Sequence, residues 1–123
     1  MTDRHLIVLA ALNMIAAVGA GAFGAHGLKQ SLTSDMLAVW QTGVLYHLVH
    51  ALGLFIIALL AARYGAGMST AGLIMFAGII LFSGSLYLLA VTGIRWLGAI
   101  TPIGGVAFLV AWAWVAWTAW RAA

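Results

Sequence analysis

Long apolar runs separated by short polar stretches dominate the pattern of residues along the chain. Four of these runs have about the 20 residues that a helix needs to cross the ~30 Å hydrocarbon core of a bilayer. In the strands of a membrane β-barrel, apolar and polar residues alternate. These runs show no such alternation. Because backbone groups in lipid must be satisfied within their own segment, the pattern predicts transmembrane helices at about residues 6–25, 41–62, 71–91 and 101–120.

The connections between the runs predict how the helices are joined. The short polar stretches at 63–70 and 92–96 indicate that each helix packs antiparallel to its neighbour in sequence. The longest connection, at 27–42, is predicted to be an interfacial loop or a short helix. The sequence therefore predicts an all-α, integral membrane four-helix bundle that forms a single transmembrane domain over residues 1–123.

Two helix starts have recognisable signals. Thr33 or Ser34 could cap a helix with an acidic residue in its first turn, so the second helix is expected to begin well before its span. Trp40 would then be an interfacial anchor in the headgroup region. Thr101 followed by Pro102 predicts the start of the fourth helix, with Thr101 as its N-cap.

Composition confirms the membrane class and removes several functions. Hydrophobic residues make up 66% of the chain and charged residues 6%, against roughly a quarter in a soluble domain. The chain therefore cannot be a soluble monomer, and it is far too hydrophobic to be disordered. It has no cysteine, which excludes disulfides, thiolate nucleophiles and cysteine metal sites.

Charge is sparse, and it bears on partners and orientation. The net charge is +3, but the basic residues are scattered, so no nucleic-acid partner is predicted. Membrane lipids are the expected partners, and the many small residues within the spans permit a homo-oligomer or a partner membrane protein. Arg4, Arg63 and Arg121 fall on one side and Lys29 and Arg95 on the other, so both termini are expected in the cytoplasm.

The first run also has features of a secretory signal peptide. Arg4 and His5 precede an apolar stretch that ends in small residues. The stretch is longer than the apolar region of a signal peptide, so a retained span is expected rather than cleavage.

Polar side chains within the spans collect in the half of the membrane that faces away from the termini. His47 and His50 are three residues apart, and Tyr46 and His50 four apart, so each pair shares a helix face. Ionisable residues inside a membrane are functional candidates by default. The candidate binding cluster consists of Asn13, His26, Tyr46, His47, His50, Ser83, Ser85, Tyr87 and Thr101.

Three interpretations of the histidines remain open. In the first, His47 and His50 ligate a metal, and His26 or a side-chain oxygen completes the set. In the second, the cluster binds a quinone, haem or lipid headgroup, or relays protons. In the third, the histidines bond to serine or tyrosine side chains across helices, which is the ordinary use of such residues. No cofactor is required by the sequence.

Catalysis is not predicted from these residues. No Asp or Glu lies inside a span, so no carboxylate base or carboxylate metal ligand comes from the bundle. Serine and histidine without a third orienting group make a poor triad. No catalytic residue is therefore assigned.

Four ordered motifs resemble those of a family of small membrane proteins of unknown function, the domain of unknown function 423, and eukaryotic transmembrane protein 256 is similar. The resemblance implies a four-helix integral membrane protein, located in bacteria in the cytoplasmic (inner) membrane. It supplies no reaction, ligand or catalytic residue. The motifs are GAFGAH at 21–26, WQTG at 40–43 with YH at 46–47 and HAL at 50–52, FSGSLY at 82–87, and Gly98 with TPIGG at 101–105.

These observations favour a non-enzymatic binding or assembly module in the inner membrane. The cluster has no carboxylate, and the chain has almost no soluble mass. The alternative is a metal- or haem-dependent redox or transport protein that uses His47 and His50.

Overall fold

A computed structural model describes residues 3–122 and shows an all-α fold. The helices are α1 (Asp3–His26), α2 (Ser34–Tyr64), α3 (Ala66–Thr92) and α4 (Thr101–Arg121), with a 3₁₀ helix over Arg95–Ala99 before α4. Each of the four apolar helical segments is long enough to cross a membrane. The predicted four-helix membrane bundle is therefore confirmed.

The α2–α3 pair forms the centre of the bundle. Helix α1 packs mainly on α2, and α4 packs mainly on α3, while α1 and α4 make no contact within residues 3–122. Leu6 of α1, Leu54 of α2 and Met75 of α3 are fully buried in the shared core. Close packing rather than burial from water holds membrane helices together. The small side chains of buried Ala58 and Ala71 let the backbones of α2 and α3 approach closely.

The two ends of the bundle are named here by what they carry. The terminal face holds the start of α1, the α2–α3 turn and the end of α4. The loop face holds the α1–α2 loop, the 3₁₀ helix and the start of α4. Arg4, Arg63 and Arg121 lie at the terminal face, and Lys29 and Arg95 lie at the loop face.

The α2–α3 connection is much tighter than the sequence predicted. The polar stretch at 63–70 was expected to be a loop, but Gly65 alone separates the two helices. Gly65 has φ 80°, a conformation that other residues rarely adopt, and its N–H donates to the carbonyl of Ala61. Glycine thus lets α3 begin at Ala66 and makes α2 and α3 a close helical hairpin.

The α1–α2 connection is a loop over residues 27–33, and no short helix forms there. The Thr33 hydroxyl accepts the Met36 N–H at 3.2 Å, so Thr33 is the N-cap and α2 begins at Ser34. With 31 residues, α2 is ~46 Å long at 1.5 Å per residue, well beyond the ~30 Å hydrocarbon core. The expected start of α2 well before its apolar span is therefore confirmed.

Trp40 is a corrected prediction. It was expected to be an interfacial anchor, but only 8% of its surface is exposed. Its ring lies over Gly24, where a Cβ atom would come within 2.6 Å of the indole, and its Nε1–H donates to the Ala20 carbonyl at 2.9 Å. The absence of a side chain at Gly24 lets Trp40 turn inward and connect α2 to α1.

The start of α4 also differs from the prediction. Thr101 is already helical and Ile100 is the N-cap residue, with no side-chain capping bond, although Pro102 does lie in the first turn. The Thr101 hydroxyl contacts the Ser85 hydroxyl at 2.6 Å. Thr101 therefore bonds to α3, which competes for the oxygen that would otherwise cap its own helix.

Candidate functional site

The centre of the candidate site is a chain of polar side chains that crosses three helices. His47 of α2 is buried and uses both ring nitrogens. Its Nδ1 lies 2.9 Å from the Tyr87 hydroxyl of α3, and its Nε2 lies 3.3 Å from Oδ1 of Asn13 in α1. One imidazole therefore joins the three helices.

The hydrogen-bond pattern determines which way each proton points. The Asn13 Nδ2 donates to the Leu9 carbonyl at 2.9 Å, so Oδ1 is the atom left to accept from His47. A neutral imidazole with its proton on Nε2 donates to Asn13 and accepts the Tyr87 O–H at Nδ1. Every member of the chain is then satisfied without any charge, which suits a site inside a membrane.

The serines of α3 make two further connections between helices. Ser83 is fully buried and donates to the Gly43 carbonyl of α2 at 2.8 Å. Ser85 donates to the Phe82 carbonyl at 2.9 Å, which leaves its oxygen to accept from the Thr101 hydroxyl. The serines thus bond to backbone and to threonine, and neither is placed to bond to a histidine as the third interpretation allowed.

His50 is surrounded by aromatic rings. Its Nδ1–H donates to the Tyr46 carbonyl at 2.8 Å within α2. Its ring stacks on Phe108 of α4 with centroids 3.6 Å apart, and the Tyr46 ring lies nearly parallel to it with its centroid 5.9 Å away. Two further rings complete the group. The Phe82 centroid lies 4.4 Å from that of Tyr46, and the Trp112 centroid lies 5.9 Å from that of His50. This aromatic group brings α2 against α4.

The structure brings together most of the predicted cluster but not all of it. His26 is exposed at the loop-face end of α1 and takes part in none of these bonds. Within residues 3–122, no three His, Cys, Asp or Glu side chains are arranged to hold a metal ion, so the set of His26, His47 and His50 is not assembled. Asn13 and Tyr87 occupy both ring nitrogens of His47, through one of which a metal would have to bind.

Several contributors escaped the sequence analysis. The Gly43 carbonyl accepts the Ser83 hydrogen bond. Gly43 also leaves room for the Tyr87 ring, since a Cβ atom there would lie 3.0 Å from that ring. Phe108 and Trp112 supply faces to His50. The four-residue spacing of the two aromatics marks a common helix face, but in a chain this apolar the same spacing is also typical of lipid-facing residues.

Comparison with known proteins places the chain in a family. The profile of a protein family of unknown function, DUF423, matches residues 20–105. This chain belongs to the DUF423 family. The UPF0382 membrane protein YwdK of Bacillus subtilis (strain 168) is 59% identical over 111 residues, which cover 89% of this chain and 90% of that protein. A UPF0382 membrane protein of Staphylococcus epidermidis is 49% identical over 109 residues, or 89% of each chain. No solved structure matches.

Membership of DUF423 agrees with the membrane fold and leaves the molecular function open. The relatives are described as membrane proteins, in line with the four apolar helices. The DUF423 match contains His47, Tyr87, Ser85 and Thr101, whereas Asn13 precedes it. The chain is therefore a DUF423 membrane protein with four candidate transmembrane helices.

Proposed function

We propose that this DUF423 protein is a multi-pass protein of the bacterial cytoplasmic (inner) membrane that acts as a non-enzymatic binding or assembly module, with both termini in the cytoplasm. The observation that supports it best is the double engagement of His47, whose ring nitrogens bond to Asn13 and Tyr87. A polar cluster that bonds within itself holds helices in place.

The way the cluster is used favours a scaffold. Three helices are connected through His47, Ser83 adds a second α2–α3 bond, and Ser85 connects α3 to α4. The outer surfaces of the helices stay free for lipids, for a second copy of the chain or for another membrane protein. When the helices are already fixed, the protein loses less conformational entropy on binding such a partner, which favours binding.

The proposed orientation depends on charge. Arg4, Arg63 and Arg121 lie at the terminal face, against Lys29 and Arg95 at the loop face. Cytoplasmic ends of membrane proteins carry the excess of Lys and Arg. The terminal face is therefore the cytoplasmic one in this proposal.

The test compares a His47→Ala/His50→Ala variant with the native chain after gentle extraction. We expect the variant to lose the lipids or partner proteins that bind to the α1–α3 arrangement, measured by mass spectrometry, because α1–α3 are no longer held together. His47→Gln should give an intermediate loss, since its amide N–H can still reach Asn13. His26→Ala is the control and should match the native chain, because His26 is exposed and outside the hydrogen-bonded chain.

Two results would contradict the proposal. A double variant that keeps its helix content, its bound molecules and its cellular role would show that the cluster holds nothing of consequence. About one metal per chain by elemental analysis, or a haem Soret band, lost from the double variant, would instead favour the metal- or haem-dependent redox or transport protein. Loss of the metal from His26→Ala as well would place His26 among the ligands.

A further inference from the structure

A groove opens at the terminal face, away from the polar cluster. It has a volume of about 820 Å³ and lies between α4 and the α2–α3 turn. Gly67 forms part of its floor, where a Cβ atom would lie 3.1 Å from the Thr118 side chain. Its walls include Tyr64, Val110, Trp114, Trp117 and Arg121.

The groove has the depth of one lipid leaflet. It follows α4 from Arg121, at the end of the helix, back to Val110. That stretch of helix is ~16 Å long at 1.5 Å per residue, close to half of the ~30 Å hydrocarbon core. Val110, Ala113 and Trp114 make the inner part apolar, which suits an acyl chain.

The outer end of the groove is cationic and aromatic. The Arg121 guanidinium lies 5.7 Å from the Trp117 ring, and the Arg63 guanidinium lies 5.3 Å from the ring of Tyr64 in the groove wall. No acidic residue lines the groove: Asp35 is at the loop face, and Asp3 shares the terminal face but lies on α1, which makes no contact with α4 within residues 3–122.

We propose that this groove binds one anionic glycerophospholipid, with an acyl chain along α4 and the phosphodiester beside Arg121. A phosphate group offers the acceptor oxygens that a guanidinium binds best, and basic pockets between membrane helices are typical sites for acidic headgroups. The site is separate from the polar cluster, so either proposal can fail without the other.

Charge favours this lipid over a second copy of the chain. The groove end of each copy carries Arg121, with Arg63 beside the Tyr64 ring of the groove wall. Two copies that met at their grooves would bring these like charges together, which costs affinity. An anionic headgroup neutralises them instead.

Native mass spectrometry of the full chain in detergent provides the test. Phosphatidylglycerol and phosphatidylcholine with identical acyl chains are titrated in parallel. We expect phosphatidylglycerol to bind about fivefold more tightly, the factor that corresponds to about 1 kcal/mol per basic residue at an anionic surface. Arg121→Gln should remove that preference and leave phosphatidylcholine binding unchanged.

Two further variants separate the parts of the site. Val110→Trp narrows the inner end and should weaken both lipids, whereas Arg95→Gln, at the loop face, should weaken neither. The His47→Ala/His50→Ala variant should keep the preference for phosphatidylglycerol if it still folds. The effects of losing the polar cluster and of losing the groove can then be measured separately.

The proposal is overturned if the two lipids bind equally to the native chain, or if Arg95→Gln reduces the preference as much as Arg121→Gln does. It is also overturned if the spectra show a lipid-free dimer that the Trp117→Ala substitution dissociates into monomers. The groove would then be the binding site for a second copy of the chain.

Discussion

At the scale of single residues, His47 decides how α1, α2 and α3 meet. Its two nitrogens have different roles because the Asn13 amide, fixed by the Leu9 carbonyl, presents only an acceptor. The Tyr87 hydroxyl must then be the donor to Nδ1. Removing any one member leaves a polar atom without its partner in an apolar interior, and that cost exceeds the net value of the bond itself.

Tyr87→Phe tests this arrangement. It removes the donor to Nδ1 while keeping the ring that packs on Trp40 at 4.5 Å. We expect the free energy of unfolding, measured by denaturant titration in mixed micelles, to fall by about 1 to 2 kcal/mol. Tyr46→Phe is the matched control with no expected change, because the Tyr46 hydroxyl makes no hydrogen bond within residues 3–122. Equal effects of the two variants would refute a stabilising bond between Tyr87 and His47.

At the scale of helices, glycines determine how closely the backbones approach. Gly104 of α4 packs directly on α3, and a Cβ atom there would lie 2.3 Å from the backbone nitrogen of Phe82. The neighbouring Gly105 has 3.9 Å of space to the Phe82 ring. This close approach positions Phe108, one turn further along α4, against His50.

Gly104→Ala should therefore separate α4 from α3. Backbone cannot move as a side chain can, so we expect a loss of about 2 to 3 kcal/mol in the free energy of unfolding, at the upper end of the usual cost of overpacking. Gly105→Ala has room for its methyl group and should leave stability unchanged. A Gly104→Ala variant as stable as Gly105→Ala would show that the helices do not meet here.

At the scale of the whole molecule, the proposed orientation in the membrane depends on the distribution of charge. The terminal face carries the larger share of Arg and Lys, and the lipid groove opens on that face. If the terminal face is cytoplasmic, the groove draws its lipid from the inner leaflet, while the His47 chain lies deeper in the bundle.

Single cysteines measure this orientation directly, because the chain has none of its own. Ser31→Cys lies in the exposed α1–α2 loop, and Ala66→Cys lies at the exposed α2–α3 turn. In intact cells with the outer membrane made permeable, we expect an impermeant maleimide to label Ser31→Cys and to spare Ala66→Cys. Permeabilising the inner membrane should expose both sites. The reversed pattern would place the termini outside the cytoplasm.

The sequence by itself determined the class of fold. Apolar runs of membrane-spanning length leave the backbone no partner except itself, so four helices follow without tertiary information. Position counting along those helices also gathered His47, Ser83 and Tyr87 in one part of the membrane, and the Thr33 cap with its early α2 start was readable from local chemistry.

Only the tertiary structure decided how these residues are used. Local pattern gave Trp40 a place at the interface and Thr101 a capping role, but Gly24 and Ser85 on other helices drew both side chains inward. Asn13 became the partner of His47 because α1 packs on α2 in a register that no local signal encodes. Sequence periodicity places a residue on its own helix, whereas the partner it meets depends on how closely and at what register neighbouring helices pack.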